Sequence, residues 1–232
     1  MKTSDVLMYC FLILFGMHIT SCSFSSSTRI GGAGKKVEIT SDPGASIIVD
    51  GKNVAGNSIR IKVAKNSTVD VRVEKVGFIT AIRNYSNVRS MVLPKSEYIK
   101  LEPDDAFASS VSTDVANRHV EISAQMERSE EEIWKVISRV VLDHFDVIEI
   151  ADSQTGYLRT AWTANSFRAA SVRTRLIVKY AGNDPLRYRI KLASEIAPAL
   201  TSVKADERYD EWDRVLRVYD PIMDDLRSRL TK

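Results

Sequence analysis

The residues best placed to do chemistry are cations on two neighbouring stretches. Over 171–180, Arg173, Arg175 and Lys179 share one parity, while Val172, Thr174, Leu176, Val178 and Tyr180 share the other. Over 186–192, Arg187, Arg189 and Lys191 alternate with Leu186, Tyr188, Ile190 and Leu192. Period-two alternation predicts two strands, each with an apolar and a basic face. Gly182-Asn183-Asp184-Pro185 is turn-forming, so the strands are expected to pair and to put both basic sets on one side of a sheet. Arg159, in the preceding strand-like stretch, extends that side. Like charges opposite one another in a sheet are unfavourable, and acidic side chains, solvent or an anionic ligand must offset them. A guanidinium suits a ligand because it donates two parallel hydrogen bonds to a carboxylate or phosphate. Arg159, Arg173, Arg175, Arg187, Arg189 and Lys191 are therefore the candidate anion- or partner-binding residues. The alternative is a plain solvated face of an antiparallel sheet.

Signs of catalysis are few. No G-x-S-x-G, H-E-x-x-H or S-x-x-K pattern occurs. His18, His119 and His144 have no Cys or carboxylate at metal-ligand spacing, so no metal or other cofactor is expected. His144 falls at the end of an expected helix, where a cation suits the dipole. Asp104-Asp105 and Asp224-Asp225 are adjacent pairs, and neighbours on a helix or strand point apart, which argues against an acid/base dyad. The chain is expected not to be an enzyme. With 33 basic and 30 acidic side chains and a net charge of +3, it carries no global field that demands nucleic acid.

The two cysteines speak to location. An apolar run, Val6 to Phe15, is followed by Ile19-Thr20-Ser21-Cys22. This resembles a bacterial lipoprotein signal peptide with its lipobox. The resemblance implies removal of residues 1–21, acylation of Cys22 by chains such as palmitate, and anchoring in the cell envelope, at the outer membrane if the cell is Gram-negative. An ordinary secretory signal has a similar apolar length. A membrane-spanning helix needs about 20 predominantly apolar residues, and Gly16, His18 and Thr20 interrupt this run. Cys10 leaves with the signal, so the mature chain has no cysteine pair for an internal disulfide. Stability must come from packed cores, for which 44% apolar residues are an adequate supply.

The elements that position these groups divide in two. Residues 22–35 are rich in Ser and Gly, a composition that behaves as a flexible tether. From 36 to 103 short alternating runs such as Ile59-Ile61-Val63 and Val69-Val71-Val73, with turns at Asp50-Gly51 and Lys65-Asn66-Ser67, predict a small all-β sandwich. Val37 to Gly51, with Asp42-Pro43-Gly44-Ala45 and the closing Asp50-Gly51, resembles the opening of a PEGA domain, and Val73 to Phe78 is similar to that family's closing strand. The Glu of the family name is absent here. The resemblance implies an extracytoplasmic β domain with a binding or spacer role and no established catalytic residues.

Residues 104–114 are polar and aperiodic and read as a linker. In 115–232 a strand at 119–124 precedes a helix opened by the capping box Ser129-x-x-Glu132. Four strands follow, and then a helical stripe of Trp212, Val215, Leu216, Tyr219, Met223, Leu226 and Leu230, broken near Asp220-Pro221. The expected class is α+β overall: the β sandwich, then helices packed on one face of an antiparallel sheet. This second layout, with Gly156 to Trp162, is similar to the helix-grip domains of the lipoprotein C component of the outer-membrane β-barrel assembly machine. The expected function is a non-catalytic envelope lipoprotein, a binding or assembly module held to the membrane through Cys22. Its expected partner is an anionic envelope component or an acidic protein; no oligomeric state follows. Two alternatives are a structural subunit of a surface assembly and an envelope hydrolase on an unfamiliar scaffold.

Overall fold

The computed structural model describes residues 34–125 and 127–231. The expected signal peptide, Cys22 and nearly all of the expected tether lie outside the described residues.

The first body is made of seven strands: β1 (Gly34–Ser41), β2 (Ser46–Val49), β3 (Lys52–Val54), β4 (Ser58–Ala64), β5 (Thr68–Glu74), β6 (Ala81–Ser86) and β7 (Ser96–Ile99). They form two sheets, ordered β4-β1-β7 and β3-β2-β5-β6. Alternation places Val37, Ile39, Ile61 and Val63 of one sheet and Ile47, Val71 and Val73 of the other in a single core. Each such side chain stabilises the fold by about 1.5–3 kcal/mol relative to exposure. The two-residue turn between β2 and β3 needs positive φ at both positions, which Asp50 (46°) and Gly51 (77°) supply.

The loops of this body sort to two ends. Gly34 lies opposite Ala64, and Asn87 bonds to the backbone of Asn66 and Ser67 and to the Val63 carbonyl. The 65–67 turn and the 87–95 loop thus sit beside the start of β1. At the other end Asp42 accepts from the Tyr98 hydroxyl and the Leu101 N–H. These bonds hold its carboxyl below the usual range, the tyrosine bond most strongly. Here the chain passes to the second body, and the Asp104 N–H donates to the Gly77 carbonyl.

The second body begins with α1 (Asp105–Ala108), β8 (Ser110–Ser112), β9 (His119–Ser123) and α2 (Glu130–His144). It continues with β10 (Ile148–Asp152), β11 (Tyr157–Thr160), β12 (Thr163–Ser166), β13 (Ala170–Asn183) and β14 (Leu186–Pro198). Two short strands, β15 (Asp210–Glu211) and β16 (Arg214–Leu216), and the helix α3 (Ile222–Leu230) complete it. The main sheet runs β10-β11-β13-β14-β15, with β12 beside β13 and β9 beside β14. Its inner residues, among them Leu176, Val178, Ile190 and Leu192, share a core with Ile133, Ile137, Val140 and Val141 of α2 and with Met223 and Leu226 of α3. The capping box forms: Ser129 Oγ accepts from the Glu132 N–H at 3.3 Å, and the Glu132 carboxylate accepts from the Ser129 N–H at 2.9 Å.

The expected α+β class is corrected by this architecture. The described residues are predominantly β, with 48% strand in several sheets and 16% helix in three helices. One reason lies in the C-terminal stripe. Residues 206–216 form a 3-10 turn and the two strands β15 and β16, and helix begins only at Ile222, after Pro221. Proline lacks the N–H of a helix interior and its ring clashes with the preceding turn, so a helix cannot run through it unbroken. Val215, Leu216 and Tyr219 are buried as the stripe anticipated, in extended and turn conformations. Residues 104–114, read as a linker, also carry structure: Asp104 caps α1, and β8 pairs with β16.

Candidate functional site

The basic stretches form β13 and β14, which pair antiparallel, with Arg173 opposite Glu195, Arg175 opposite Ala193, Ile177 opposite Lys191 and Lys179 opposite Arg189. Odd positions pair with odd positions, so both cationic sets share the outer side of the sheet. β11 adds Arg159 opposite Ile177, and β9 adds His119 opposite Lys191 and Glu121 opposite Arg189. The inner side is apolar: Val172, Leu176, Val178, Tyr188 and Ile190 are fully buried.

The outer face has a covered end and an open end. At the covered end Arg173 is only 3% exposed. Its guanidinium donates to Glu195 at 2.7 Å, to Asp206 at 2.6 Å and to the Val203 carbonyl at 2.6 Å. It also lies over the rings of Trp162 and Tyr209, at 4.3 and 4.0 Å. The cover is the segment after β14, folded back by the β15–β14 pairing and by a bond from the Tyr209 hydroxyl to the Thr201 carbonyl. Arg173, one of the candidate residues, is thus engaged within the chain. Its Nε and both terminal nitrogens meet oxygen acceptors within the chain, and these contacts fasten the 199–211 segment to the sheet.

The other candidates lie together. Arg175 also lies over the ring of Trp162, 4.0 Å from its centroid. Its Nε is buried and has no hydrogen-bond partner among the described residues. Burial, followed by the neighbouring Arg159, lowers its pKa from the ordinary guanidinium value. Arg159 pairs with Glu149 at 3.1 Å, and Lys191 with Glu211 at 3.6 Å. Arg189 donates to Glu121 at 2.7 Å, and Arg187 reaches the same carboxylate at 3.9 Å. The Arg189 hydrogen bond is the first cause that holds Glu121 below its usual pKa. Lys179 is exposed and has no ion pair among the described residues. The charge crowding foreseen in the sequence is thus offset by glutamates, incompletely.

Three contributors escaped the sequence reading. The sequence pattern gives Trp162 only a place in a strand-like stretch, does not single out Tyr209, and marks His119 only as a strand residue without metal-ligand neighbours. Burial first, and then Lys191, Arg189 and Lys179, push the His119 pKa below 6.5. Only the β9–β14 register reveals that neighbourhood, and no local pattern encodes it. His144 instead bridges helices, its Nε2 lying 2.9 Å from Asp225. Of the adjacent aspartates, Asp104 caps α1, and Asp224 meets Arg227.

The arrangement can grip a planar anion between Arg175, Lys179, Arg189 and Lys191. Among the described residues no three His, Cys, Asp or Glu side chains are grouped to hold a metal ion. An open cleft of about 500 Å³ lies elsewhere, on the outer side of the four-stranded sheet, between Ile48, Asp70, Arg72 and Ile82. No family model matches the sequence, and no curated protein matches it. The reading of the site rests on its own geometry.

Proposed function

We propose that the chain is a non-catalytic envelope lipoprotein, held by an acylated Cys22, whose open basic sheet face docks an anionic envelope component or an acidic protein. One observation carries the docking reading: Arg175, desolvated and without a carboxylate partner among the described residues, beside Lys179, which has no ion pair among them, and Arg189, which shares Glu121 with Arg187. A carboxylate or phosphate would complete the guanidinium's bonding, and such charge-assisted bonds contribute about 1.5–3 kcal/mol each. The PEGA-like character of the first body fits a spacer that presents the second. The signal and lipobox at 1–22 support an envelope address.

The test uses a triple substitution, Arg175→Glu, Lys179→Glu and Arg189→Glu, which spares the structural Arg173. The probe is purified cell-wall peptidoglycan, whose peptide carboxylates are dense, in a co-sedimentation assay at low and high salt. Salt-sensitive binding that falls several-fold in the folded triple variant is the expected result. Binding that survives the substitution removes the face from the account. Metabolic labelling with palmitate, lost in Cys22→Ser, tests the anchor separately.

A further inference from the structure

A second cationic surface lies at the end of the first body where β1 begins. Lys35 and Lys36 open β1, Lys62 lies beside them on β4, Lys65 is in the adjoining turn, and Arg89 and Lys95 are in the 87–95 loop. All six are exposed. None has a carboxylate within ion-pair distance among the described residues, whereas Arg60, Arg72 and Arg83 of the same body are paired with Glu38, Glu74 and Glu97. Asp50 and Asp70 belong to the second sheet and are tied to each other: the Asp50 carboxylate accepts from the Asp70 N–H, and the Asp50 N–H donates to the Asp70 carbonyl. The 87–95 loop also holds Met91 and Val92, which are 55% and 95% exposed. Unpaired cations around a projecting apolar tip are the combination that an anionic lipid surface attracts: each Lys or Arg is drawn to lipid phosphates, and the tip buries apolar area at the headgroup boundary.

Chain continuity selects the occupant. Gly34 follows directly on the segment that bears Cys22, and that segment cannot span more than roughly 40 Å even at full extension. We propose that this end of the first body lies on an anionic bilayer, with Met91 and Val92 at the headgroup–acyl boundary and the six cations facing lipid phosphates. The junction with the second body, at Leu101 to Asp104, is at the opposite end of the strands and so lies away from the membrane. The proposal rests on the anchoring reading for the membrane's nearness, though not for the charge and apolar pattern that would meet it. No helix among the described residues is long and apolar enough to cross a membrane.

The experiment places a photoreactive benzophenone amino acid at position 92 or, in a separate chain, at position 76. Val76 is 83% exposed but belongs to the junction end, where Gly77 meets Asp104. Full-length protein purified from its host membrane is illuminated on phosphatidylglycerol-containing vesicles and on pure phosphatidylcholine vesicles. Lipid adducts are expected to be several-fold more abundant at 92 than at 76, to need the anionic lipid, and to fall several-fold in Lys35→Glu, Lys65→Glu, Lys95→Glu. Equal adducts at both positions, or adducts indifferent to lipid charge, overturn the proposal. Mass analysis of the N-terminal peptide in the same samples separates the two ideas. An acylated Cys22 with no adduct at 92 leaves the anchor standing and sinks the docking, whereas an adduct at 92 without acylation does the reverse.

Discussion

The two cationic surfaces treat their charge in opposite ways. On the sheet of the second body, cations stand in register on adjacent strands, Lys179 directly opposite Arg189, and Glu121, Glu149, Glu195 and Glu211 are interleaved among them. At the tether end of the first body, six cations on strand starts and loops meet no carboxylate among the described residues. Side chains facing one another across paired strands are only about 4.5–5.5 Å apart at Cβ, so an uncompensated set there opposes folding. Spread over loops, the same charges keep their water and are screened within about 8 Å at physiological salt. Regular structure therefore demands internal compensation and leaves a small, oriented residue of charge. Irregular structure permits a large diffuse one. The first arrangement suits recognition of a particular anion, and the second suits a surface of many.

The sharpest way to break this contrast is at Arg173, the sheet cation whose compensation is complete. Arg173→Ala strands the partly buried Glu195 and frees the 199–211 segment. Removing one partner of a buried pair costs about 3–5 kcal/mol; most of this is expected through Glu195, since Asp206 is largely exposed. Urea unfolding should show a lower midpoint, and a loss of stability no greater than for an exposed ion pair would mean that the segment is not fastened there. By contrast, Lys65→Ala at the tether end should leave the unfolding midpoint where it is, because no bond is lost.

This asymmetry was partly legible in the sequence. The alternation in 171–192 fixes which residues share a face, and a turn at 182–185 fixes the parity of their pairing, so the common basic side follows from local pattern alone. The glutamates that answer it do not. Glu121 comes from β9, 68 residues from Arg189, and Glu211 from β15, reached through the irregular 199–209 segment, so their registers depend on tertiary packing. Arg173 is indistinguishable from Arg175 by pattern, because the cover over it comes from residues 199–211, whose apolar spacing imitated a helix. In the first body turn chemistry at Asp50-Gly51 and Lys65 to Ser67 is explicit, although the parallel pairing of β1 with β7 joins residues far apart in sequence. The core residues Val37, Ile39, Ile61, Val63, Val71 and Val73 follow the alternation, whereas β3 and the buried Tyr85 of β6 carry no such signal, and 91–93, strand-like in sequence, is loop.

A smaller effect sharpens the contrast from the acidic side. Glu121 serves both Arg187 and Arg189 in a solvent-exposed position, and exposed pairs of this kind contribute little to stability. Glu121→Gln should leave thermal unfolding nearly unchanged while strengthening low-salt binding of an anionic polymer several-fold, with the gain abolished by high salt. Titration of heparin, as a model polyanion, measures it. An unchanged affinity would place the ligand away from the Lys179–Arg189 row. At the tether end no corresponding acid exists among the described residues to remove, so charge there can be tuned only by subtraction.

The smallest expected effect is a pH response at His119, which borders the same row. Its pKa lies below 6.5 because burial disfavours the charged ring and because Lys191, Arg189 and Lys179 repel it. Folding therefore suppresses protonation of this imidazole. The stability it confers is full above 6.5, and it declines as pH falls through the lower folded value, where the ring must finally charge against its surroundings. His119→Gln should flatten that acid-side decline in thermal midpoint without altering stability at neutral pH. An anion bound among the three cations cancels their repulsion but leaves the burial, so the histidine's titration midpoint, followed by NMR, should move part of the way back towards 6.5. Salt alone should produce a weaker shift in the same direction. A midpoint that ignores a saturating anion would show that His119 and the open end of the face do not share one electrostatic environment, and the oriented site would shrink to Arg175 and its immediate neighbours.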